Sequence, residues 1–226
     1  MTARATSARP RRLPAVLLAV LVASCASGKP PTAAWQMDAS SALERFRQAY
    51  LTGADRWAAA EFRQAREALA STGDATQVAR AELTRCALQV AALQFDPCAG
   101  FEPLRADAGA PEQAYATYLT GAPLGPQAGL LPPQHRAAAS SATPAIQDIQ
   151  DPLARLVAAG VAVRGGRAGP EVVRAAVDTA SERGWRRPLL AWLGLQARQA
   201  DLAGDEQLAQ QVRRRIDLVS GSAKPR

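Results

Sequence analysis

An all-α fold follows from three observations on the chain. Of its 226 residues, 48% are hydrophobic and Ala dominates that fraction, a composition that favours helix and close helix–helix approach. Val and Ile are sparse, and no run of alternating apolar and polar residues is long enough for a strand. Apolar stripes of helical period recur instead, bounded by Gly, Pro and Gly-Asp pairs. The roughly 200 residues that follow the first two dozen can bury one good core, so one domain is expected. It is predicted over 41–219, with N-terminal helices in 41–95, an irregular segment in 96–143 and C-terminal helices in 144–219.

The first helix is predicted from Ser41 to Thr52, with Leu43, Phe46 and Tyr50 on one stripe and Gly53 as the stop. Asp55 starts a second, in which Ala58, Phe62, Ala65 and Leu69 fall at i, i+4, i+7 and i+11. Gly73 closes that helix and Asp74 caps the next, whose stripe is Ala79, Leu83, Cys86, Val90 and Leu93. From Asp96 to about Thr143 the period dissolves into Pro, Gly and Ala, apart from a short helix near Glu112 to Leu119 and a turn or two near Ala137 to Ser141. A connection of that length is functional, disordered or pinned down.

Asp151-Pro152 reopens regular helix, because Pro has no N–H to orphan and Asp accepts from those that remain. Leu153, Leu156, Val157, Gly160 and Val161 form its apolar face up to Gly165-Gly166. Pro170 opens the next helix, with Val173, Ala176, Val177 and Ala180 inward. Pro188 opens another, with Leu189, Leu190, Trp192, Leu193 and Leu195 in its first half, and is expected to be the most buried. Gly204-Asp205 turns the chain into a last helix carrying Leu208, Val212, Ile216 and Val219 on its inner face. Residues 220–226 are a predicted tail.

The turns at Gly73-Asp74 and Gly204-Asp205 resemble those of tetratricopeptide-type hairpins. That family places a small residue five positions after the Gly, where this chain has Ala209 in one hairpin and Val78 in the other. No period near 34 residues runs through the chain, and the family's Trp-Leu-Gly-Tyr run is echoed only by Trp192-Leu193-Gly194. The resemblance implies stacked antiparallel helix pairs, as a tetratricopeptide-like array or an irregular bundle.

The N-terminus carries a different signal. Arg4, Arg9, Arg11 and Arg12 precede an apolar run from Leu13 to Ala23, about half of the ~20 residues a spanning helix needs. A charged start, a short apolar core and small residues are the parts of an export signal. Val22-Ala23-Ser24-Cys25 resembles the lipobox of bacterial lipoproteins. The resemblance implies removal of 1–24, lipid on Cys25 and a tether over 25–40. Two or three acyl chains satisfy the need for more than one membrane signal. Ala26 and Ser27, rather than Asp, follow the cysteine, which in that family implies the outer membrane, facing the periplasm.

Four arginines of the +7 net charge precede Cys25, leaving +3 over the rest. The remaining arginines are interspersed with Asp and Glu, and aromatic residues are few, so the chain lacks the basic stripe of a nucleic-acid binder. Cys86 and Cys98 are then an even pair in an oxidising compartment. Either they form a bridge, or Cys86 is a buried free thiol and Cys98 an exposed one; the bridge avoids an exposed thiol. The spacing permits it if the third helix ends by about Gln94.

No phosphate-binding loop, dinucleotide fingerprint, nucleophile elbow or His-Glu-x-x-His run is present, and no cofactor is expected. Two sulfurs and one histidine are too few for zinc. His135, in Leu131-Pro132-Pro133-Gln134-His135, reads as a surface residue. Carboxylates such as Asp148 and Asp151, or Glu171 and Asp178, have the spacing of a solvated helix face. Arg164, Arg167, Arg183, Arg186 and Arg187 fall in or beside turns. They read as cations placed at helix C-termini, or as an edge gathered at one end of the helices for an acidic partner or anionic surface. The function expected is a non-catalytic interaction or assembly module on a lipid anchor, with an envelope protein as partner. Alternatives are a small-ligand carrier with a pocket lined by Trp57, Phe62 and Trp192, and a cell-wall enzyme with two carboxylates across a groove.

Overall fold

A computed structural model describes residue 2, residues 33–141 and residues 145–221. Cys25 and, apart from residue 2, the predicted export signal lie outside the described residues, as do 142–144 and 222–226. Every element belongs to the unit Thr32–Arg226. In chain order they are α1 (Ala34–Thr52), α2 (Asp55–Ala70), α3 (Ala75–Ala91), α4 (Ala110–Leu119), α5 (Pro133–Ser140), α6 (Pro152–Arg164), α7 (Pro170–Glu182), α8 (Arg186–Leu202) and α9 (Glu206–Ser220). Short 3₁₀ turns occupy Glu102–Leu104, Gly125–Leu130 and Ile146–Asp148, and no strand occurs among the described residues. The fold is all-α.

The turn chemistry explains the boundaries. Asp74 accepts from the Thr76 amide at 2.8 Å, and Asp205 from the Leu208 amide at 2.9 Å, each after a glycine at positive φ. Asp151 accepts from the Ala154 amide at 2.6 Å, with Pro152 in the first turn of α6. Helix α3 closes on Leu93, whose φ of 56° is left-handed. A bulky residue there is strained, and the Gln94 amide bonds Gln89 O at 2.8 Å to hold it.

Pairs α1–α2 and α8–α9 are antiparallel hairpins, and α6 joins the two ends of the molecule by packing on α3, α5 and α7. Eight of its 13 residues are buried, against six of 17 in α8. The most buried helix is therefore α6, not α8 as expected. Small residues let it sit inside, whereas Arg198, Asp201 and Leu202 leave one side of α8 in water. Gly160 is the point of closest approach: a Cβ there would overlap Val90 O and lie 2.8 Å from Val90 Cγ1. No helix among the described residues is long and apolar enough to cross a membrane.

Three boundaries differ from expectation. Helix α1 begins at Ala34, so it takes over 34–40 of the predicted tether; Ala39 is 2% exposed and extends the Ala42–Phe46–Tyr50 stripe backward. Helix α8 begins at Arg186, since Pro188 in its first turn forfeits no intrahelical bond. The described part of the segment 96–143, residues 96–141, is no loose connection: Phe101, Leu119 and Leu131 are 0% exposed and Tyr118 is 2%.

Candidate functional site

The sulfurs of Cys86 and Cys98 lie at disulfide distance, with their Cα atoms 5.7 Å apart. Their pairing folds the 94–101 turn back over α3. Gly100 then lies on Glu82 so closely that a Cβ would overlap its carboxylate and reach within 2.6 Å of Arg85 Nη2. Glu82 is 3% exposed and is held by Arg66 Nε at 2.9 Å and Arg85 Nη2 at 2.7 Å. A buried carboxylate without those cations would cost several kcal/mol. Arg85 also covers the Phe62 ring at 4.8 Å.

The five turn arginines do not gather at one end. Arg164 and Arg167 flank the α6–α7 turn, while Arg183, Arg186 and Arg187 flank the α7–α8 turn, so the 13-residue α7, about 20 Å long, separates them. Four of them donate to carbonyls at the ends of other helices. Arg164 Nη1 reaches Leu119 O of α4 at 3.1 Å, and Arg167 Nη1 reaches Ser141 O just past α5 at 2.7 Å. Arg186 Nη2 reaches Ser220 O of α9 at 3.0 Å, and Arg187 Nε reaches Tyr50 O of α1 at 2.7 Å while pairing with Asp55. Each adds a donor at a helix C-terminus, and its charge suits the negative pole of that helix dipole. Arg183 stands over the Trp185 ring.

The trio expected to line a ligand pocket is dispersed. Trp192 is 0% exposed and donates to Ala91 O at 2.9 Å, Trp57 is 69% exposed, and Phe62 sits in a cleft that contains neither. That cleft, about 470 Å³, lies among α1, α2 and α3. Phe46, Tyr50 and Phe62 give it an aromatic wall, and Arg63, Arg66 and Arg85 a cationic one. Burial pushes the Tyr50 phenol up to about 12, and its hydroxyl donates to Gln94 Oε1.

Two adjoining clefts lie on the other side of α3 and share Thr84 and Tyr115. The larger, about 430 Å³, runs between α3, α4 and the start of α5. The smaller, about 290 Å³, is lined by Arg47, His135 and Asp151 among others. His135 is 3% exposed, which corrects its reading as a surface residue. Pro132 and Pro133 start α5, and that short helix turns the imidazole inward against Tyr115 and Tyr118, 5.6 Å and 5.1 Å from their rings. Burial lowers its pKa to about 4, with Asp151 opposing. Both tyrosine hydroxyls are driven upward by burial.

Among the described residues no group of three or more His, Cys, Asp or Glu converges as a metal site. Carboxylates in the two larger clefts are each paired with arginine: Glu82 as above, Asp55 with Arg187, and Glu112 with Arg80. Compared with family models, curated proteins and solved structures, the chain matches none of them.

Proposed function

We propose that this chain is a lipid-anchored cell-envelope protein, held through Cys25, whose helical body is a non-catalytic docking module. The observation that carries the docking reading is the open α1–α2–α3 cleft, where an aromatic wall faces Arg63, Arg66 and Arg85 and where, against Asp55 and Glu82, the lining keeps one net positive charge. An acidic, partly apolar segment of an envelope protein complements that surface in charge and in apolarity. Pairing of each carboxylate in the larger clefts with arginine favours recognition over glycoside hydrolysis, which needs one carboxyl as acid and another free to act as base or nucleophile. The anchor rests on the lipobox resemblance at Val22-Ala23-Ser24-Cys25 and the placement at the outer membrane on Ala26 and Ser27. In that compartment the Cys86–Cys98 pair is an oxidised bridge.

Crosslinking in intact envelopes followed by mass spectrometry tests both parts. The expected result is one recurrent envelope partner attached near α2 and α3, lost on Arg63→Glu, and an N-terminal peptide that begins at Cys25 with acyl mass. Partner recovery indifferent to Arg63→Glu overturns the docking site. An intact leader in the cytosolic fraction overturns the anchor.

A further inference from the structure

The 430 Å³ cleft between α3, α4 and α5 is built from three converging elements. Arg80, Leu83 and Thr84 come from one face of α3, and Pro111, Glu112 and Tyr115 from the first turns of α4. The chain from Leu130 to Pro133, with Arg136, closes the third side. Its walls are rigid for a cleft at the surface. Three prolines fix backbone torsions there, and Tyr115 is stacked on Tyr118 with ring centres 6.0 Å apart. Leu130, 43% exposed, leaves apolar surface at the rim that the protein does not cover.

The cations are oriented rather than loose. Arg80 Nε is engaged by Glu112 Oε1 at 2.7 Å, and Arg136 Nε donates to Leu131 O at 2.7 Å. Each bond is made through Nε, which leaves the Nη edge of each guanidinium for a further acceptor. Guanidinium edges held this way are suited to planar recognition of a carboxylate. Glu112 cancels one of the two charges, so the lining carries one net positive charge over a mostly apolar floor.

We propose that this cleft binds a small monoanionic amphiphile, a carboxylate on an unbranched apolar chain, with Arg136 and Arg80 on the carboxylate and Leu83, Tyr115 and Leu130 along the chain. The volume bounds the size: at ~30 Å³ per water the open cleft holds at most about fourteen water volumes, room for a dozen or so heavy atoms. Cleft volume and lining match those of ordinary small-ligand sites, mostly apolar with few convergent polar groups. The single net charge selects one carboxylate over a dianion.

Calorimetry on the full chain carrying Cys25→Ser, which removes any acyl group that competes for the cleft, tests this with decanoate, decan-1-ol and decyltrimethylammonium as probes. The expected result is one decanoate per chain, bound at least tenfold tighter than the alcohol, with no binding of the cation. Arg136→Gln loosens decanoate at least fivefold, Arg136→Lys loosens it less, and Arg63→Gln in the other large cleft leaves it unchanged. Should Arg136→Gln not fold, exposed Leu130→Asp gives the same reading: a negative charge at the rim weakens decanoate at least fivefold. Backbone amides of 80–84, 112–115, 130–131 and 134–136 gain exchange protection on binding. Equal affinity for decanoate and decanol overturns the proposal, as does indifference to both Arg136→Gln and Leu130→Asp. So does binding of a peptide with a C-terminal leucine where decanoate fails to bind.

Discussion

The segment from Asp96 to Ser141 and the C-terminal hairpin α8–α9 invert what their sequences advertise. The hairpin has clean caps and regular apolar spacing, yet α9 buries only Ala209 and Val212, and Leu202 and Leu218 stand 90% and 72% exposed. The middle segment has no period, yet it delivers Phe101, Tyr118, Leu119, Leu131 and His135 to the core. Periodicity reports that a helix has one apolar side. It does not report how much protein covers that side. An irregular chain between two close helices is enclosed on several sides and needs no single face.

The largest expected effect comes from one substitution made in both regions. Leu131→Ala, at a fully enclosed position, should cost about 4 kcal/mol, whereas Leu202→Ala should stay within ~0.5 kcal/mol. Urea unfolding of the two variants measures the contrast, and similar losses would erase it. Next comes the covalent tie. Under oxidising conditions, replacing Cys86 and Cys98 by Ser should cost about 3 kcal/mol, as expected for a short loop closed by a bridge. Protease cuts should then appear first within 94–140, with α8–α9 intact.

A pH effect between pH 5 and pH 7 belongs to the middle segment. His135 is held neutral by burial, with its pKa lowered to about 4 from an unfolded value near 6.5. The unfolded chain therefore takes up the proton first as pH falls. The contribution is fully present above about pH 6.5, is down by about 2 kcal/mol at pH 5, and is lost through the folded value. His135→Phe should flatten that slope in chemical denaturation at pH 5 and pH 7; an unchanged slope would place the proton elsewhere.

Two glycines give effects of opposite sign, the smaller of them at Gly194. Gly194 in α8 has open space where a Cβ would go, so Gly194→Ala should stabilise by about 0.5–1 kcal/mol. Gly160→Ala in α6 should destabilise by about 1–3 kcal/mol, because Val90 of α3 occupies that space. Thermal melts that move in the same direction would refute the close approach of α3 and α6.

Much of the helical scaffold can be read from residues alone, because caps and stops act within four positions. Asp74, Asp151 and Asp205 cap helices, Pro152 and Pro170 open them, and Gly73 and Gly204 end them, all through local backbone chemistry. What stays hidden depends on partners distant in sequence. Ala34 to Ala39 become helical because Trp35 and Ala39 meet a core that no local pattern reveals. Arg164, Arg167, Arg186 and Arg187 look like ends of their own helices but serve the ends of α4, α5, α9 and α1. Arg80, Tyr115 and Arg136 come from three separate stretches, and only the fold of the middle segment assembles them into one cleft. A usable signal did exist: Phe101, Leu104, Leu119, Leu124, Leu130 and Leu131 are more large apolar residues than an exposed linker carries.

Native-state hydrogen exchange tests most directly whether the segment from Asp96 to Ser141 is part of the core. The amides of α4 and α5 should open only with global unfolding, at the same free energy as α3 and α6, while α9 opens earlier. Exchange of α4 and α5 ahead of α9 would contradict that account and remove the wall on which the amphiphile cleft depends.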